Sequence, residues 1–174
     1  MLTFGFKPQM QEARAAARRV PATGIYAKDS LNTSEIIAEI LRMSDVRTGG
    51  IATYFGMTKS PGFAHKGVKE LIIKTDPALS TKGLRSLCAD VKKKFHLQLA
   101  VIYHYEGRFK PGELLVMIVV AANSRPEAFA AMDEIIHRFK KEGVLRKKEI
   151  FEHGESEWVE GDTVYSVDGQ TPQH

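Results

Sequence analysis

The run Leu114-Leu115-Val116-Met117-Ile118-Val119-Val120-Ala121-Ala122, followed by Asn123-Ser124-Arg125-Pro126-Glu127, sets the architecture of this chain. An unbroken apolar run of this kind predicts a strand covered on both faces, central in a sheet. Helix chemistry starts directly after it. Ser124 and Glu127 form a capping box, and Pro126 stands in the first turn, where its missing N–H costs nothing. Phe129, Met132, Ile136 and Phe139 recur at helical spacing and predict the buried stripe, with Gly143 as the C-terminal stop.

On the N-terminal side of this run, residues 97–105 predict a second strand, joined to the first through the turn Lys110-Pro111-Gly112. Residues 77–95 predict a helix with Leu84, Leu87, Cys88, Val91 and Phe95 on one face and basic residues opposite. Further strands are expected over 23–27, 51–55 and 68–74. Asn32-Thr33-Ser34-Glu35 reads as a capped helix start, with Ile36, Ile37, Ile40 and Leu41 as its apolar face. Gly49-Gly50 closes that unit, and residues 56–67 read as a mobile loop. Beyond Gly143, short β segments are expected around Ile150 and Trp158. The order β-α-β-β-α-β-β-α-β-β predicts an α+β domain, with helices packed on a mainly antiparallel sheet.

A chain of 174 residues with 43% apolar content is long enough for one domain with a substantial core. The expected organisation is a basic arm at 1–22 carrying Arg14, Arg18 and Arg19, a domain at 23–167, and a polar tail at 168–174. No run of eighteen or more apolar residues offers a membrane span. The single Cys88 cannot form an internal disulfide, which fits a reducing, cytoplasmic compartment, and its place on an apolar stripe reads as buried filler. A net charge of +4 and a pI near 9.1 suit a small anionic ligand, an acidic protein partner or a nucleic acid.

No paired-cysteine or clustered-histidine spacing for zinc appears, nor a phosphate-cradling glycine loop, a G-x-S-x-G elbow, or a basic helix interleaved with stacking aromatics. Lysines and arginines are the convergent groups that remain. Lys140 falls in the last turn of a helix, where the carbonyl ends favour a cation. Arg146, Lys147 and Lys148 alternate faces on an extended segment, so Lys147 points opposite its neighbours. Turned toward the helix end, Lys147 and Lys140 would disfavour one another's charge, leaving one amine partly neutral and nucleophilic at about pH 7. The competing reading is a solvated basic surface. Arg125 opens a helix, whose N–H groups and positive dipole end favour an anion that a guanidinium would fork. Equally, it reads as an exposed first-turn arginine. Lys59 and His65 fall on the loop after Gly56, where lysines are usually only solvated, and His104 and Tyr105 end a strand and read as structural.

Several of these pieces recur in one known order. Gly49-Gly50-Ile51-Ala52-Thr53-Tyr54-Phe55-Gly56 is followed by Val101-Ile102-Tyr103-His104 with Gly107 and Pro111-Gly112-Glu113. Then come Ser124-Arg125 with Ala128-Phe129, Phe139-Lys140, Arg146-Lys147-Lys148-Glu149 and Trp158-Val159-Glu160. Over residues 23–167 the chain resembles the large, catalytic subunit of molybdopterin synthase. The resemblance implies that family's α/β-hammerhead fold and a homodimer at the centre of a heterotetramer. A ubiquitin-like small subunit at each end inserts its thiocarboxylated C-terminal Gly-Gly tail, and sulfur passes in two rounds to cyclic pyranopterin monophosphate, building the molybdopterin dithiolene. It also implies catalytic roles for Lys140 and Lys147, phosphate binding by Arg125, and a substrate-binding set that includes Ser124, Lys59 and Lys148. No cofactor, metal, nucleic acid or membrane partner is expected.

Four positions depart from the family pattern. Lys59 stands near an arginine position, keeping charge without the bidentate fork. Ser124 stands where a histidine is usual, Asp162 where a basic residue often is, and Lys74-Thr75-Asp76 replaces an acidic–aromatic pair. These departures leave open a binding or regulatory member of the same fold with impaired turnover. A basic α+β module for RNA or another polyanion is the remaining alternative.

Overall fold

Residues 20–62, 66–142, 145–160 and 163–166 are described in the computed structural model. Residues 1–19 of the arm, His65, Gly143, Asp162 and the tail 168–174 lie outside them. The elements run β1 (Gly24–Ala27), α1 (Thr33–Met43), β2 (Gly50–Met57), β3 (Val68–Thr75), α2 (Pro77–Lys94), β4 (Leu99–Phe109), β5 (Leu114–Ala122), α3 (Arg125–Glu142), β6 (Leu145–Phe151), β7 (Ser156–Glu160) and β8 (Thr163–Ser166).

The apolar run becomes β5, which lies between β2 and β4 in a sheet ordered β2-β5-β4-β3-β6-β7-β8. Its alternate side chains serve two cores, as full coverage requires. Val116, Ile118, Val120 and Ala122 meet α2 and α3 through Leu84, Leu87, Val91, Ala131 and Ile135. Met117 and Val119 turn to the other face, against Ile36 and Ile40 of α1. Pairing along the sheet is antiparallel, except that β1 joins β4 in parallel.

β4 carries two partners in succession on one of its edges. β1 pairs with it up to Glu106, and β3 takes over from Gly107 to Phe109. The change of partner falls on Gly107, whose φ of +134° is a conformation that L side chains rarely adopt. That glycine lets one strand belong to both halves of the sheet.

Local chemistry accounts for the helix starts. The Asn32 side chain accepts from the Glu35 N–H at 3.2 Å, and Asp76 accepts from the N–H groups of Ala78 and Leu79 at 3.1 and 3.0 Å, with Pro77 beginning the helix. Five expectations differ from the structure. Phe129 is 64% exposed, and the inner stripe of α3 is Ala128, Ala131, Met132, Ile135 and Phe139. The sheet comes close enough there that alanines, not a phenylalanine, fill the contact. Leu41 is likewise exposed, while Ile36 and Ile40 are buried. β2 extends to Met57 and β4 to Phe109, because the β5 and β3 ladders continue their pairing. Within the loop expected at 56–67, Thr58 and Gly62 are packed into the fold. Finally, β8 adds a strand to the anticipated order, paired with β7.

Candidate active site

Alternation along β6 decides which of its charges face inward. Leu145, Glu149 and Phe151 are buried, Lys147 is half-buried, and Arg146 is exposed. Lys147 therefore shares its face with Glu149, and both line a cleft of about 260 Å³. Lys148 faces the other way, with its ammonium 5.7 Å from the centroid of the Trp158 ring. The cleft is walled by apolar side chains, including Leu71, Val116, Ile136 and Phe139. Tyr54 from β2 and Lys59 from the segment after it close one side.

Gly62 brings that segment directly against β6. A Cβ built at this position would overlap the carboxylate of Glu149, so a larger residue would push the segment away. Glu149 itself is 3% exposed, the one acidic side chain that reaches the cleft among the described residues.

His104 completes the floor. Even-numbered residues of β4 point to the α2/α3 face, and the His104 ring lies 5.4 Å from that of Phe139. It is 2% exposed. Burial, and then the charge of Lys147, push its pKa down to about 3, against a small opposing effect of its hydrogen bond to the Tyr105 carbonyl. It is a neutral imidazole at any ordinary pH. The sequence alone reads this residue as structural and assigns Glu149 no role; their inward alternation beside Lys147 is the signal that would have found them.

Lys140 occupies the last turn of α3, directly after Phe139; its side chain lies outside the described residues. Arg125 and Ser124 stand at the other end of the same helix. The Glu127 N–H donates to Ser124 Oγ at 3.5 Å, so the serine acts as a cap. Arg125 is exposed, and its turn rests on Gly49-Gly50, where a Cβ on Gly49 would overlap the Asn123 carbonyl. Fifteen residues of helix separate Arg125 from Lys140, about 22 Å at 1.5 Å per residue. The fold thus brings Lys59 and Lys147 together and keeps Ser124 and Arg125 of the same chain apart from them.

Cys88 is buried among the α2 contacts, and its thiol is pushed up to about 11 by burial, which outweighs the Thr23 hydroxyl 3.6 Å away. That is the filler its position suggested. Among the described residues no group of three or more His, Cys, Asp or Glu is placed to hold a metal ion, and no helix is long and apolar enough to cross a membrane.

The model of the MoaE protein family matches residues 26–142. The molybdopterin synthase catalytic subunit of Pyrococcus abyssi is 31% identical over 134 residues, spanning 77% of this chain and 87% of that protein. That of Ralstonia nicotianae is 28% identical over 141 residues, spanning 81% and 78%. Among solved structures, molybdopterin synthase from Staphylococcus aureus superposes with a TM-score of 0.68 at 21% identity, covering 79% of this chain and 96% of that one. A complex of subunits 1 and 2 of the molybdopterin-converting factor from Helicobacter pylori gives 0.62 at 13% identity, covering 86% and 92%. These last two likenesses concern the fold.

Proposed function

Because this chain belongs to the MoaE protein family, we propose that its cleft is the active site of a molybdopterin synthase catalytic subunit. The chain pairs with a ubiquitin-like small subunit, whose C-terminal thiocarboxylate supplies the sulfur. In each of two rounds a carbon–sulfur bond forms on the side chain of cyclic pyranopterin monophosphate as a carbon–oxygen bond at the same carbon breaks and its oxygen leaves. The acyl–sulfur bond of the tail breaks, and water adds to the acyl carbon, leaving the tail as a carboxylate. The product is the dithiolene of molybdopterin.

Both reactants are anions, and they react where water is largely excluded. Charge of opposite sign is worth most in such a place. Lys147 brings its ammonium into the apolar cleft and Lys59 guards the entrance. The observation that carries the reading is this inward turn of Lys147 beside Lys59. Lys140, one residue beyond the cleft-lining Phe139, is the second catalytic amine, and the two lysines assist the proton transfers of each round.

Arg125 is assigned to the substrate phosphate. Since it stands about 22 Å along α3 from Lys140, the arginine that serves a given cleft is the one from the second copy in the homodimer. Ser124 caps the turn that presents it. Lys148, stacked toward Trp158, contributes to the outer basic field that draws the anions in. A thiocarboxylate is kept intact in a reducing, cytoplasmic setting, which the buried lone Cys88 suits.

The test is reconstituted turnover with thiocarboxylated small subunit and cyclic pyranopterin monophosphate. Dithiolene from the wild type, and roughly 100- to 1000-fold slower formation from Lys147→Ala despite small-subunit binding, is the expected pattern. Full activity in Lys147→Ala would refute the assignment. Partner binding without product in the wild type would favour the impaired, regulatory member that Lys59 and Ser124 suggest.

A further inference from the structure

The sheet ends in two edges, and they are not alike. β8 closes one of them with four residues, a shortness that itself discourages further pairing. At the other, β2 runs for eight residues, and among the described residues only β5 pairs with it. Its sequence Gly50-Ile51-Ala52-Thr53-Tyr54-Phe55-Gly56-Met57 holds no charge and no proline, the usual guards of an open edge. Tyr54, Phe55 and Met57 are exposed apolar side chains along it. α3 adds another beside them. Glu134 and Arg138 form ion pairs with Lys94 and Asp90 of α2, so that flank of α3 faces α2. Ile136 stands on the other flank and lines the cleft together with Tyr54. Phe129 lies two helical turns back from Ile136, on the same flank, and is exposed.

We propose that β2 pairs antiparallel with β2 of a second copy, across a two-fold axis at the middle of the strand, so that the two sheets become one. Such a contact uses each copy's edge once, so it closes as a dimer and leaves no template for fibres. The choice of occupant follows from where the two ends of β2 lie. A Cβ built on Gly50 would lie 3.7 Å from Arg125 Cα, so this end carries the start of α3. Gly56 and Met57, at the other end, line the cleft. Seven steps separate Gly50 from Met57, about 23 Å at 3.3 Å per residue. That matches the distance of about 22 Å along α3 between Arg125 and Lys140. Antiparallel pairing about the centre sets the Gly50 end of each copy beside the Met57 end of the other. The axis stands perpendicular to the sheet, so α3 of both copies stays on one face. Each Arg125 then comes to the mouth of the other copy's cleft. A strand from a different protein would cover the edge equally well, but it would bring no arginine there. This last step rests on the role proposed above for Arg125; the pairing of the edges does not.

The test therefore uses no turnover. The full chain, in a Cys88→Ala background, receives one new cysteine at a time. Residues facing one another in an antiparallel pair share a face, so either Thr53 or Tyr54 stands opposite its own copy at the axis. Opposed Cα atoms there are about 4.5–5.5 Å apart, within reach of a disulfide. Mild oxidation should cross-link dimers of Thr53→Cys or of Tyr54→Cys, and none of Leu79→Cys, which is exposed on α2. Light scattering should find the wild type dimeric. Phe55→Lys brings an ammonium close to the axis from each copy and should raise the dimer dissociation constant at least about 100-fold. A monomeric wild type, cross-linking at neither edge position, equal cross-linking of Leu79→Cys, or unchanged affinity in Phe55→Lys would overturn the pairing. Cross-links from Thr53→Cys and Tyr54→Cys to the small subunit instead would also overturn it, giving the edge to that partner. Cross-linked dimers that form no dithiolene would keep the pairing and sink the synthase reading. Dithiolene from a chain that fails these tests would do the reverse.

Discussion

At its N-terminal end α3 meets water, with Arg125 exposed, a serine cap, and a turn propped on two glycines. At its C-terminal end Ile136 and Phe139 line a largely apolar cleft that takes in Lys147. Both ends carry positive charge, yet their surroundings differ. At the first, a guanidinium is screened, a setting that suits the proposed grip on a phosphate. At the second, an ammonium is held among apolar walls, where it changes the energy of a nearby anion far more. Facing, and not the number of basic residues, therefore selects the chemistry. Lys147 and Lys148 make the same point within one peptide bond.

Removing each of those two lysines in turn puts this contrast under the heaviest strain. Lys147→Ala should cut turnover by roughly 100- to 1000-fold, the scale on which a preorganised electrostatic group acts. Lys148→Ala should stay within about threefold, since its charge is screened. Similar losses in single-turnover assays would show that the face of β6 is irrelevant. Next in size comes the division of labour along α3. Arg125→Ala and Lys147→Ala copies, each inactive alone, should give active mixed dimers when coexpressed, because one cleft then holds both wild-type groups. No activity in the mixture would place Arg125 elsewhere.

A third experiment separates the cleft floor from the rest of the fold through pH. The unfolded chain binds a proton at His104 near the ordinary value of 6.5, whereas the folded chain resists it down to about 3. Stability from this residue is therefore complete above pH 6.5 and falls as the pH drops through that window. The loss amounts to about 2 kcal/mol by pH 5. Urea midpoints at about pH 7.5 and pH 5 should show the drop in the wild type and a flatter response in His104→Gln. Gly107→Ala should cost about 1–3 kcal/mol at any pH, the range for a residue forced into a disfavoured backbone region. Cys88→Ala should leave activity intact, and Cys88 in the folded protein should resist alkylation at about pH 8, since its thiol stays protonated. Rapid alkylation would mean α2 is less well packed than its contacts indicate.

Much of the architecture was legible in the sequence because period and punctuation agreed. Leu114–Ala122 has no polar face, so it had to be covered twice. Asn32 can cap only a helix that begins just after it. Strand alternation set Lys147 apart from its two neighbours, and the structure shows that its side is the inward one. Phe129 was misread because size stood in for burial, and the helix in fact approaches the sheet through Ala128 and Ala131. His104 and Glu149 were missed as site residues for a different reason. Each is ordinary in its own strand, and their meeting depends on β4 and β6 lying on either side of β3, a register that no local pattern encodes. The separation of Arg125 from Lys140 was implicit in a helix length, but which cleft that arginine reaches is a property of assembly.

The parallel pairing of β1 with β4 sets an order of events during synthesis. Gly24 has its partner at Tyr103, and the Thr23 hydroxyl accepts from the Ile102 N–H at 3.1 Å across 79 residues. Until the ribosome has released that far stretch, β1 has nothing to pair with. The β4–β5 hairpin and α3 are close in sequence and condense early, because short loops cost the least entropy to close. The first strand to be made is thus among the last to dock, and the nascent chain carries an unsatisfied parallel edge on β4 until it does.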